Sequence, residues 1–219
     1  MTPNIAVIDY GAGNLRSVER ALVHTGADVL ITADPEWIGR ADGVILPGVG
    51  AAADTMDNLR SRGLVDPVLR YIESGRPFLG VCMGLQALLE WSEEGGRQEC
   101  LGVVPGHVVH FRVTDLKVPH MGWNTVAWLR DHPIAGGIPS GSYFYFVHSF
   151  HPVLDDPSWG LGETEYGLPF PSVVAKDNLV ATQFHPEKSG DSGLRIYRNF
   201  VDWVARERGQ PVSSAERSL

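Results

Sequence analysis

The sequence predicts an α/β fold: a mostly parallel central sheet flanked by helices, with β-rich antiparallel additions. Three observations predict it. As far as Trp91, short apolar runs alternate with helical apolar stripes, the pattern of βαβ units and a parallel sheet. From Glu93 the runs are short, rich in β-branched and aromatic residues, and punctuated by Gly and Pro, as expected of antiparallel strands at a sheet edge. Between these halves, Phe78-Leu79-Gly80-Val81-Cys82-Met83-Gly84-Leu85-Gln86 takes an apolar strand directly into a helix through one cysteine fenced by glycines, a turn at home in α/β sheets.

Asn4 to Asp9 reads as a doubly buried strand ending on a carboxylate. Tyr10-Gly11-Ala12-Gly13-Asn14 is a turn. Leu15, Val18, Ala21 and Leu22 then form the stripe of a helix that Gly26 stops. Asp28 to Thr32 is a second strand, completing a right-handed parallel βαβ opening. Gly11-x-Gly13, with Asp34 about 20 residues on, is part of a dinucleotide fingerprint. Arg16 stands where its third glycine belongs, so the glycines are assigned to a tight turn. Gly43 to Leu46 is a third strand, running into Pro47-Gly48-Val49-Gly50 and a polar helix to Arg62. A helix from Val65 to Ser74 leads by Gly75 to the cysteine strand, and an apolar helix from Leu85 to Trp91 is expected after the cysteine. Beyond the loop Glu94-Gly95-Gly96, short strands are expected at Val103-Val104, Val108 to Phe111, Lys117 to Asn124, Ser142 to Phe146 and Val147 to Pro152. A hairpin about Asp177-Asn178 joins Ser172 to Lys176 with Leu179 to Phe184. Asp191 to Arg208 is an amphipathic helix with Leu194, Ile196, Tyr197, Phe200, Val201 and Val204 on its packing side. One domain over 1–208 is expected, with a polar, disordered tail at 209–219.

Composition narrows the function classes. A hydrophobic fraction of 43% and a charged fraction of 20% are those of a soluble globular protein, and a net charge of −8 argues against a broad nucleic-acid footprint. No apolar run approaches membrane-spanning length. The two cysteines, Cys82 and Cys100, make no disulfide framework, and a reducing cytoplasm is the expected home. Cys100, His107, His110, His120, His148 and His151 lack the close ligand doublets of a zinc site, so no metal is expected.

The chemistry is concentrated in three segments. Gly80-x-Cys82-x-Gly84 is a nucleophile elbow with Cys in place of the commoner Ser. Side chains two residues either side of so sharp a turn would collide with backbone, and the turn projects the sulfur at a helix N-terminus, which favours thiolate. Gln183-Phe184-His185-Pro186-Glu187-Lys188-Ser189 supplies a base and its orienter. Two residues apart in extended backbone, His185 and Glu187 project to the same side, so Glu187 accepts from one imidazole nitrogen while the other faces Cys82. Pro47-Gly48-Val49-Gly50, after a strand, is read as an oxyanion strand, whose glycines permit a peptide flip at low steric cost.

A cysteine, then histidine and glutamate at this spacing, resembles the class I, or triad, glutamine amidotransferases. Further segments narrow the resemblance: Asp9-Tyr10-Gly11-x-Gly13-Asn14, Leu46-Pro47-Gly48-Val49-Gly50, Pro119-His120-Met121-Gly122-Trp123-Asn124, Tyr145-Phe146-Val147-His148-Ser149-Phe150 and the Pro186-Glu187-Lys188-Ser189 end of the histidine segment. Over 4–207 the chain is similar to the glutaminase subunits of imidazole glycerol phosphate synthases. The resemblance implies the class I amidotransferase fold and hydrolysis of L-glutamine to glutamate and ammonia, with no cofactor. It implies a TIM-barrel cyclase partner in a heterodimer, receiving the ammonia for histidine biosynthesis. Under it, Cys82 is the nucleophile, His185 the proton shuttle and Glu187 the orienter, with the N–H groups of Val49 and Met83 as oxyanion donors. Gln86, Gly50 and the backbone of His148, Ser149 and Phe150 would hold the α-amino and carboxylate groups of glutamine. Asn14, His120, Met121, Trp123 and Lys188 would face the partner. Three alternatives remain open at this level: another class I glutaminase, a stand-alone cysteine hydrolase and a catalytically dead binding module.

Overall fold

The computed structural model describes residues 2–11 and 13–208 of the chain; the tail expected at 209–219 lies outside the described residues. Strands β1 (Asn4–Ile8), β2 (Asp28–Thr32), β3 (Gly43–Leu46) and β4 (Phe78–Val81) lie parallel in the order β2-β1-β3-β4. Their connections are α1 (Leu15–His24), α2 (Pro35–Arg40), then α3 (Ala52–Ser61) with α4 (Val65–Glu73). The sheet continues through β13 (Leu179–Thr182), which is parallel to β4, and then turns antiparallel through β12 (Pro169–Lys176), β11 (Gly160–Glu165), β8 (His120–Trp128) and β9 (Ser142–His148). The expected parallel half, the hairpin about Asp177 and the antiparallel edge are all present.

Alternation along the strands explains why both faces must be covered. On β1, Ile5 and Val7 pack with Val18 and Leu22 of α1 and with Ile196, Phe200 and Val204 of α6 (Gly190–Glu207). Ala6 and Ile8 point the other way, against Ile38 of α2, Met56 and Leu59 of α3 and Val68 and Tyr71 of α4. A strand buried on both faces needs no polar positions, which is why these segments read as unbroken apolar runs. Asp34, at the spacing of a ribose-binding acid, instead caps α2: its Oδ1 accepts from Glu36 N at 2.9 Å, with Pro35 opening the helix.

Three sequence expectations are corrected. The helix after Cys82 was expected to reach Trp91, but α5 covers only Met83–Gln86. The carbonyls of Ala87, Leu88 and Leu89 are taken by N–H groups of Leu101, Gly102, Val103 and Val104, so the i to i+4 ladder cannot continue. For the same reason Val103-Val104 is a hydrogen-bonded loop and not a strand. The third correction is a second sheet, β10-β7-β5-β6, formed by β5 (Trp91–Ser92), β6 (Gln98–Glu99), β7 (Gly106–His110) and β10 (Phe150–Leu154). The run expected at 147–152 is split at Ser149, which passes from β9 in one sheet to β10 in the other.

Candidate active site

Sheet order brings the site together. β3, β4 and β13 are adjacent and parallel, so their carboxyl ends open on one edge. Pro47-Gly48-Val49-Gly50 follows β3, Cys82 follows β4, and Gln183 and His185 follow β13. The Cys82 N–H donates to Thr182 O at 2.7 Å, tying the nucleophile's strand to the base's strand at the point where each ends.

The elbow is as tight as its glycines imply. Cys82 has φ 54° and ψ −105°, a backbone conformation that residues with a side chain rarely adopt. A Cβ on Gly84 would stand 1.9 Å from Leu46 O, and one on Gly80 would stand 2.9 Å from Gly84 O. Met83 opens α5, so its N–H is one of the donors that a helix start leaves unpaired. Val49, at 37% exposure, lines the same pocket as Cys82, Met83, Gly50 and Gln86.

His185 and Glu187 have side chains only 2% exposed, with His185 Nδ1 and Glu187 Oε1 at 2.9 Å. Pro186–Lys188 form a single 3-10 turn that fixes this spacing. Tyr197 Oη of α6 donates to Glu187 Oε2 at 3.3 Å, so both carboxylate oxygens are held. Burial disfavours charge on His185, but Cys82 and Glu187 together outweigh it and raise its pKa to about 10. With Nδ1 committed to Glu187, the buried Nε2 is left for Cys82. Cys82, His185 and Glu187, the three residues singled out in the sequence segments, are thus brought together at the strand ends.

The remaining expected residues divide. Gly50, Gln86, His148, Ser149 and Phe150 line the pocket, together with Asn14 and Lys188 at its mouth. Met121 and Trp123 are 65% and 55% exposed on β8, and Trp123 packs edge-on against Tyr145 of β9. His120 departs from its expected place. It is 3% exposed, its ring lies within an aromatic cluster of Phe111, Phe146, Tyr166 and Phe170, and it is not offered to a partner. The physical reason is the pleat: Met121 and Trp123 point out, so His120 points in. Burial lowers its pKa to about 4 and that of His148 to about 3, so both rings are neutral. Their nitrogens form one chain: Asn124 Nδ2 to His120 Nε2 at 3.2 Å, His120 Nδ1 to His148 Nε2 at 3.0 Å, and His148 Nδ1 to Phe150 O at 2.7 Å.

Two site residues escaped the sequence reading. Glu94, read only as part of a loop, is the carboxylate lining the pocket, and its Oε2 accepts from Ala52 N at 2.7 Å at the start of α3. Gln183 is fully buried beside Cys82. Glu94 carries no sequence signal beyond its polarity, and Gln183 opens the histidine segment without a role being assigned to it.

These observations meet the comparisons with known proteins. A model of the family "Glutamine amidotransferase class-I" matches residues 6–203. The chain belongs to the class I glutamine amidotransferases. It is 49% identical over 204 residues to the imidazole glycerol phosphate synthase subunit HisH of Syntrophotalea carbinolica, covering 90% of this chain and 99% of that one. It is 51% identical over 209 residues to the subunit of the same name in Halobacterium salinarum, covering 92% and 94%. Among solved structures, PurLQS from Thermotoga maritima superposes with a TM-score of 0.71 at 16% identity, covering 93% of this amidotransferase and 100% of that chain, a likeness of fold alone. No helix among the described residues is long and apolar enough to cross a membrane.

Proposed function

We propose that this class I amidotransferase is the glutaminase subunit of an imidazole glycerol phosphate synthase, supplying ammonia in histidine biosynthesis to a TIM-barrel cyclase with which it forms a heterodimer. The observation that carries the chemistry is the meeting of Cys82 with the His185–Glu187 pair at the ends of adjacent parallel strands. The HisH relatives support the choice among glutaminases.

The Cys82 thiolate attacks the side-chain carbonyl of L-glutamine. The N–H groups of Val49 and Met83 receive the oxyanion, each such donor being worth roughly 3 kcal/mol of barrier. His185 passes a proton from Nε2 to the departing nitrogen, and ammonia leaves. Water then gives its proton to His185 and attacks the thioester, and glutamate is released. Glu187 keeps the ring oriented and favours its charged form throughout.

The assignment of Gln86 is refined by its hydrogen bonds. Its Nε2 donates to Phe150 O at 3.0 Å and to Gln183 Oε1 at 3.1 Å, which uses both amide hydrogens. Its Oε1 remains, and that atom accepts from the α-ammonium of glutamine and does not hold the carboxylate. Glu94 supplies the opposite charge for the ammonium, and backbone N–H groups about Gly50 and Ser149 are left for the carboxylate. The exposed apolar face of β8 and β9, with Met121, Trp123 and Tyr143, leads to the pocket mouth at Val147 and Lys188 and is where the cyclase docks. Both cysteines are free, and we place the enzyme in the reducing cytoplasm that a thiol nucleophile requires.

The test is co-purification with the cyclase, then glutamine hydrolysis measured with and without the cyclase's nucleotide-derived ligand. Hydrolysis coupled to that ligand is the expected result. Steady hydrolysis indifferent to the cyclase would point instead to a stand-alone hydrolase.

A further inference from the structure

Gln183 is 0% exposed, yet carries a full primary amide into the sheet end. A buried amide is costly unless each polar atom has a partner, so its partners state its purpose. The direction of this amide is settled by a chain of contacts that begins at a carbonyl. Phe150 O can only accept, so Gln86 presents Nε2 to it at 3.0 Å. The second hydrogen on that nitrogen points to Gln183 Oε1 at 3.1 Å. Gln183 Nε2 is thereby turned to the Cys82 sulfur, at 3.8 Å. The donor comes from the strand beside the nucleophile's own, one residue past β13, and its aim is independent of the His185–Glu187 pair.

We propose that Gln183 is a further residue of the catalytic site, whose amide N–H donates to Sγ of Cys82 and holds it as a thiolate aimed at the substrate, while Gln86 locks the amide in that orientation. This rests on the glutaminase reading for its substrate but not for its geometry. A donor to the charged form of sulfur acts twice in the reaction. Before acylation it favours the thiolate over the thiol. In deacylation the C–S bond breaks, the electron pair returns to Sγ, and the same N–H meets it. The arrangement also links substrate binding to the nucleophile, because the Gln86 amide that offers Oε1 to glutamine is the one that fixes Gln183.

The test is alkylation of the full chain by iodoacetamide across pH, with the adduct on Cys82 read by mass mapping, so that no turnover is needed. In Gln183→Met, which keeps the volume and removes the donor, the alkylation profile moves up by about one pH unit, so on its rising limb, below the midpoint, the rate falls about tenfold. Gln183→Glu keeps an oxygen for Gln86 and sets a second oxygen against the sulfur, so its profile moves further. An unchanged profile in either variant, once its thermal melt shows a folded chain, overturns the proposal. Should neither fold, the wild type decides: the Gln183 side-chain amide protons, followed by NMR, must titrate with the midpoint of Cys82 alkylation, and their indifference to it overturns the proposal equally. Glutamine turnover with the cyclase is measured separately, with kcat reduced and KM little changed in Gln183→Met. Absence of turnover in the wild type sinks the glutaminase reading and leaves the alkylation result standing.

Discussion

Cys82 sits at a φ of 54°, a conformation that costs roughly 1 to 3 kcal/mol, in a turn where Gly80 closely approaches Gly84 and Gly84 closely approaches Leu46. Cys82→Ala keeps the Cβ and the strain, so its stability should stay within about 1 kcal/mol of wild type while glutamine hydrolysis falls roughly 10,000-fold or more. Strong hydrolysis by the purified variant would remove Cys82 from the mechanism. With external ammonium salt, the same variant in complex should still support the cyclase step, which needs only ammonia. Cys100 is the internal control. Burial pushes its thiol up to about 11, so Cys100→Ser should be nearly silent and an alkylating glutamine analogue should leave Cys100 unlabelled. His185→Ala should cost more than Glu187→Gln, because the second variant loses orientation and charge balance but keeps the proton carrier. Equal, wild-type-like rates in both would exclude the pair. The meeting of Cys82, His185 and Glu187 was legible because each stands in a local motif whose backbone explains it. The places of Gln183 beside Cys82 and of Glu94 on the pocket wall were not, because both come from contacts that only the fold creates.

The elbow depends on three strands ending together, and that makes its glycines testable as structure. A Cβ at Gly84 would meet Leu46 O at 1.9 Å, backbone that cannot swing aside as a side chain would. Gly84→Ala should therefore destabilise by about 2 to 4 kcal/mol, or prevent folding, as seen in urea unfolding. Gly26→Ala makes a useful contrast: no atom lies within 4 Å, so only its φ of 90° opposes it. Matching losses at the two sites would show that the close approach at β3 is not what Gly84 serves. Elements were legible where burial was two-sided and local, as in β1, β3 and β4. They were misread where hydrogen bonds from distant chain decided the outcome. The 101–104 segment ends the helix after Cys82, and two-residue strands such as β5 and β6 have no period to read. His120 was misplaced because a motif names residues without saying which face of the strand each takes.

Two neutral buried histidines, His148 on the pocket wall and His120 behind it, tie the whole fold to pH. His120 and His148 have pKa values lowered to about 4 and about 3 by burial, against an ordinary 6.5. The unfolded chain therefore binds protons that the fold refuses. Their stabilisation is complete above pH 6.5 and is lost as pH falls toward 4 and 3. Unfolding free energy measured between pH 7 and 4 should fall, and His120→Phe should flatten that fall even though it lowers stability at pH 7. The same cluster backs the outer face of β8 and β9, where the partner is proposed to sit. Tyr145 joins that face to the chemistry. Its ring meets Trp123 and the Lys188 ammonium, its carbonyl accepts from His185 N at 3.0 Å, and its N–H donates to Ser189 Oγ at 2.9 Å. A partner pressing on Trp123 thus bears on the backbone that carries His185. On the far side of the pocket, Gly50 has φ 103° with open space about it, while Gly48 is wedged against Met83 and Tyr10. A peptide flip between them would aim the Val49 N–H into or out of the oxyanion position, and a missing donor slows acylation by about 100- to 1,000-fold. Turnover should accordingly be low for the isolated chain, rise modestly with the cyclase and rise steeply when the cyclase holds its ligand, with little change in glutamine affinity. The ligand achieves this only through a different affinity for the two states. Trp123→Ala should weaken association and blunt the rise. Equal turnover in the three states would refute gating while leaving the triad untouched.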